Sequence, residues 1–108
     1  MIDDKEQNAE PIRIEGMSSF IKPNAFVGNM FVVVGEVHND SLESLASVST
    51  AITLYDRGDN VIGADTTYTR PSNIAPGSSA PFKFSIFGGS KKGGVDAVED
   101  YRVSVSSR

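Results

Sequence analysis

The chain contains no cysteine, and that single absence removes disulfides, thiolate metal sites and cysteine nucleophiles together. It does not place the compartment. No stretch approaches the ~18 consecutive apolar residues of a membrane-crossing helix, so this segment does not insert into a bilayer by a helix. The N-terminus lacks the basic-then-apolar pattern of a secretory signal. Basic residues are in the minority. Ten Lys and Arg against 14 Asp and Glu leave a net charge of −4, which argues against nucleic acid as a partner and leaves a cation or a basic partner open. There is one histidine, His38, so an imidazole general base has one candidate position. Amphipathic helical periodicity and internal repeats are both missing.

What is present describes one soluble-type domain. A chain of 108 residues, 39% apolar and 22% charged, hides about two-thirds of its unfolded surface on folding, enough for one core. Residues 1–11 are polar and acidic without periodicity and read as a flexible tail or linker. The expectation is that a signal or anchor has been removed ahead of Met1-Ile2-Asp3-Asp4-Lys5-Glu6, with a cytoplasmic protein as the alternative. Residues 12–108 read as a single domain. A first strand is expected over 12–21, interrupted near Gly16, and a second over 30–38. In the second, Phe31, Val33, Gly35 and Val37 share one face and Met30, Val32 and Val34 the other. A strand apolar on both faces belongs at the centre of its sheet or under a loop. Gly35 within it signals a bulge or a close approach of the facing sheet.

The chain is organised around Val48 to Pro81. Val48, Thr50, Ile52 and Leu54 alternate with Ser49, Ala51, Thr53 and Tyr55, the period of a half-buried strand. Asp56 to Asn60 then form a five-residue turn into a strand running from Val61 to about Arg70. Asp56 is positioned to accept backbone N–H groups. Gly58 supplies a positive φ where the turn needs one, and Asp59 and Asn60 tolerate that region better than most residues. Pro71 and Pro76-Gly77 punctuate a loop, a strand resumes over 80–87, and a last one runs over 98–106 with Tyr101, Val103 and Val105 facing in. Between them, Gly88-Gly89-Ser90-Lys91-Lys92-Gly93-Gly94 has the composition of a pliant linker.

Ile52-Thr53-Leu54-Tyr55-Asp56 resembles the FxLYD motif, with Ile in place of the first Phe. Upstream, Val33-x-Gly35-x-Val37-x-Asn39-x-Ser41 is similar to that family's Gly-x-Val-x-Asn strand and turn. Downstream, Ile74-Ala75-Pro76-Gly77-Ser78-Ser79-Ala80-Pro81-Phe82 is similar to its Leu-x-Pro-Gly-x-x-x-Pro-Phe loop. The order and spacing of the three carry the resemblance to the FxLYD domain family over roughly residues 30 to 105. The resemblance implies an immunoglobulin-like β-sandwich from bacterial or archaeal surface or secreted proteins, with no shared catalytic residues to carry over.

Few residues suggest chemistry. His38 lies near Asp40 and several serines in sequence, but a catalytic triad is a matter of three-dimensional register, and a strand-end histidine is the simpler reading. Asp56 and Asp59 share a turn without the alternating carboxylates of a calcium loop. Arg57-Gly58-Asp59 matches the adhesive tripeptide recognised by animal integrins, although the turn already accounts for its glycine. Asn39-Asp40-Ser41 fits a glycosylation acceptor and equally a chain-turning segment. Lys91 and Lys92 form a small basic spot.

These features predict an all-β, antiparallel, immunoglobulin-like sandwich of six to seven strands. They predict a monomeric, non-catalytic extracytoplasmic module for binding or spacing, without a cofactor or bound metal. Its partner is an unidentified protein or surface polymer, and a pure spacer or a small hydrolase is the alternative. Strand parity puts the loops at 22–29, 56–60 and 88–97 at one end of the sandwich, so Lys22, Arg57, Asp59, Lys91 and Lys92 are the expected partner contacts, with Asp56 and Gly58 shaping the turn.

Overall fold

In a computed structural model of the chain, residues 12–23, 25–26, 28–87 and 97–108 are described. The acidic tail at 1–11 and the glycine-rich segment with Lys91 and Lys92 lie outside them. Six strands form: β1 (Ile12–Lys22), β2 (Met30–Asn39), β3 (Ser49–Tyr55), β4 (Val61–Tyr68), β5 (Ser79–Phe87) and β6 (Asp100–Ser106). All pairings are antiparallel, in two three-stranded sheets ordered β1-β2-β5 and β4-β3-β6. The two hairpins, β1–β2 and β3–β4, stay within a sheet. The other three connections cross between sheets.

The two-residue period decides which side chains meet. On β2, Phe31, Val33 and Val37 point inward and are buried; on β3, Thr50, Ile52 and Leu54 do the same, with Val48 just ahead of the strand. Together with Ala80, Phe82 and Phe84 of β5 and Val105 of β6 they form one core shared by both sheets. Each large aliphatic or aromatic side chain taken fully out of water there contributes about 1.5–3 kcal/mol. β2 is the central strand of its sheet, as its two apolar faces require. The buried hydroxyls are satisfied: Thr50 Oγ1 donates to Thr67 O (3.1 Å) and Thr69 Oγ1 to Pro71 O (2.7 Å).

Gly16 and Gly35 act together. β1 bulges between Glu15 and Ser18, with Gly16 at φ +63°. Opposite the bulge, the space a Gly35 side chain would fill is taken by the Phe82 ring, Cζ lying 2.8 Å from the ideal Cβ position. The close approach at Gly35 therefore comes from β5, a neighbour in the same sheet, rather than from the facing sheet. Several boundaries also move. β1 reaches Lys22, β4 stops at Tyr68, β5 starts at Ser79, and β6 begins at Asp100. Asn39, expected in a loop, is the last residue of β2 and fully buried.

Candidate functional site

Three regions bear on function. The first is a polar cluster on the outer face of the β1-β2-β5 sheet. Arg13 on β1, His38 on β2 and Ser79 on β5 stand in one row, because Arg13 pairs with His38 and His38 with Ser79. His38 Nδ1 lies 2.7 Å from Ser79 Oγ, and its Nε2 lies 3.3 Å from Asp40 Oδ1. Asp40 also receives Arg13 through Nε (2.6 Å) and Nη2 (3.2 Å), while Arg13 Nη1 donates to Glu15. The Arg13 hydrogen bond holds the Asp40 carboxyl below the usual carboxylate range, and Asp40 raises the Arg13 guanidinium in return. A serine, a histidine and an aspartate thus meet, but the ring nitrogens are exchanged relative to the usual triad, in which Nε2 faces the nucleophile. The carboxylate is shared with an arginine, and Ser79 is exposed at the start of an edge strand. Sequence reasoning named His38 and Asp40. It missed Ser79, Arg13 and Glu15, which only strand pairing brings near.

The second region is the hairpin end. Asp56 closes its turn as expected: Oδ1 accepts Gly58 N and Asn60 N, both at 2.9 Å, and Oδ2 accepts Asn60 Nδ2 at 3.3 Å. These bonds, led by the one from the Asn60 backbone, hold the Asp56 pKa down. The positive φ falls on Asp59 (+64°), not on Gly58. What Gly58 provides is room, because an added Cβ would sit 3.1 Å from Asn60 Nδ2. β4 continues unbroken past Gly63, with only a bulge opposite Leu54 and Tyr55. Parity is therefore kept. Lys22 pairs with Met30 and Met30 with Phe87, while Tyr55 pairs with Val61 and Asp100. The β1–β2 and β3–β4 ends that these pairs define lie at one end of the sandwich, with Lys22, Arg57 and Asp59 exposed there. Lys91 and Lys92 are outside the described residues.

Comparison with protein-family models, curated proteins and solved structures finds no match for this chain. Its site has to be read from its own geometry.

At the opposite end, Asn39 rules on the glycosylation pattern. Its Nδ2 donates to Glu43 O (2.8 Å) and Ile74 O (2.9 Å), and its Oδ1 accepts Ser41 N (2.8 Å) and Ser41 Oγ (2.6 Å). A side chain this buried and fully committed ties the crossings together and is closed to glycan attachment in the folded state. Among the described residues, no group of three or more His, Asp or Glu is placed to hold a metal ion.

The third region is an open groove of about 840 Å³ along the β4–β5 side, lined among others by Glu36, Thr67, Tyr68, Arg70, Lys83 and Ser85. Its floor is braced where Arg70 N donates to Pro81 O (3.0 Å). Among the described residues, neither the Arg70 guanidinium nor the Lys83 ammonium has an ion-pair or hydrogen-bond partner. Sequence reasoning passed over this groove. Lys83, set between inward Phe82 and Phe84, was the available signal.

Proposed function

We propose that the chain is a non-catalytic, extracytoplasmic module of immunoglobulin-like type that binds a protein or polymer at the cell surface. The FxLYD-like order of motifs supports this reading. So does the strand order, in which the first, second and fifth strands oppose the third, fourth and sixth. The observation that carries it is the hairpin end: a braced sandwich displays Lys22 and Arg57 at the same end, and neither side chain has a partner among the described residues. Loops grouped at one end of a rigid sandwich are a common way to meet a partner. The test is cosedimentation with isolated bacterial cell envelopes. Wild type pellets with them, and Lys22→Glu/Arg57→Glu does so less. A pure spacer stays in the supernatant in both forms.

The Ser79–His38 contact favours one second reading, a small hydrolase. Its test is labelling with a fluorophosphonate. The module reading expects no adduct, and a stoichiometric, His38-dependent adduct on Ser79 establishes the hydrolase instead.

A further inference from the structure

We propose that the groove between β4 and β5 binds an acidic polysaccharide, a chain of uronic-acid-type sugars, with Tyr68 as the stacking platform and Arg70 and Lys83 as the carboxylate partners. The proposal rests on the module reading above and adds to the hairpin end a second surface with its own ligand class.

Charge comes first. In a chain of net charge −4, two cations without partners line the same groove, against one carboxylate, Glu36. Arg70 presents a planar fork suited to a carboxylate, and Lys83 a compact charge on a flexible stem. Glu36, paired with Pro81 across β2 and β5, repels acid groups from the β2 side and steers them toward β5 and β4. Shape comes second. Tyr68 is 61% exposed on the last residue of β4. Its ring offers an apolar face with a polar tip, which suits the C–H face and hydroxyl rim of a pyranose. Thr67 and Ser85 add hydroxyls to the lining. The groove is open and far larger than a single inorganic anion, so an extended chain with acids at intervals uses it better.

An acidic peptide fits less well. Extended peptides gain much of their affinity by adding a strand to a free sheet edge. Here the bracing Arg70 N–Pro81 O bond already uses edge backbone groups, and Pro81 has no N–H to offer. A strand added to this edge therefore finds open backbone groups only from Lys83 onward, a short register. A nucleic acid calls for a broader basic face than these two cations supply.

Affinity gel electrophoresis tests the proposal, with polygalacturonate, its methyl ester, dextran and polyglutamate as probes. Polygalacturonate retards the wild-type chain, less so as salt rises. Its methyl ester, dextran and polyglutamate retard it little. Lys83→Gln, Arg70→Gln and Tyr68→Ala each weaken retardation by about tenfold or more, the scale of losing a charge-assisted contact or a stacked ring. Lys83 and Arg70 are exposed, and unchanged circular dichroism confirms that the variants fold. Arg102→Gln, which removes an exposed cation on β6 outside the groove, leaves retardation unchanged. Three results overturn the assignment: no retardation by polygalacturonate, equal retardation by its ester or by polyglutamate, or an equal loss in Arg102→Gln. In each of these cases envelope cosedimentation still reports separately on whether the chain is a binding module.

Discussion

Asn39→Ala removes the side chain that ties both sheet crossings together, and its cost follows from the four hydrogen bonds Asn39 makes. The buried Ile74 carbonyl loses one of its two donors and keeps the Leu45 N–H (2.9 Å), while Ser41 and Glu43 lie nearer solvent. A buried hydrogen bond lost without replacement by water costs about 1–1.5 kcal/mol, and each of the three that water replaces about 0.5–1 kcal/mol. The sum is about 3 kcal/mol, a large share of the ~5–15 kcal/mol that holds a domain folded. At this chain length it lowers Tm by roughly 10–20 °C. Differential scanning calorimetry reads this directly. A Tm drop under about 3 °C would refute the reasoning, because the crossings would then be held by the Leu45–Ile74 bridge and its neighbours alone. Asn39→Asp sharpens the test. It keeps the acceptor for Ser41 but turns the other oxygen on two carbonyls. Burial raises that carboxyl's folded pKa above its unfolded ~3.9. A raised pKa means the proton is held more tightly in the folded state, so the variant comes closest to wild type in acid and falls behind as pH rises. A gap that widens toward low pH contradicts this.

Leu54, 2% exposed in the shared core, should cost about 2–5 kcal/mol when cut to Ala; chemical denaturation showing less than about 0.5 kcal/mol contradicts the register. Gly35→Ala drives a methyl into the Phe82 ring and should cost about 1–3 kcal/mol as overpacking. Adding Phe82→Leu should recover part of that cost, and a strictly additive double mutant speaks against the contact. Asp56→Ala should lower Tm at neutral pH. Because the folded pKa of Asp56 is depressed, its contribution is present above the unfolded value near 4 and is lost as pH falls through the folded one. The Tm difference should therefore close in acid, and a pH-independent difference assigns it to something other than the carboxylate. His38→Ala should leave envelope binding unchanged, and its loss would move the binding surface to the Arg13–His38–Ser79 row.

The sequence by itself determined the strands and their inward faces. Alternation at Val48, Thr50, Ile52 and Leu54, and at Phe82, Phe84 and Ile86, is local, because each strand buries every second residue whatever its partner. The Asp56 turn was legible for the same reason, since its bonds reach no farther than four residues. Even there the local signal was incomplete: glycine suits a positive φ, yet the chain placed it on Asp59 and used Gly58 for clearance. Everything that depends on who pairs with whom was decided by the tertiary structure. Ser79 reaches His38 across 41 positions of sequence, Phe82 fills the space that Gly35 vacates, and Arg70 and Lys83 come to share a groove. No periodicity encodes these meetings, because antiparallel pairing fixes them only once the two sheets close on a common core. Asn39 shows both halves: its chemistry as a turn residue was readable, while its burial required Ile74 to arrive from the other crossing.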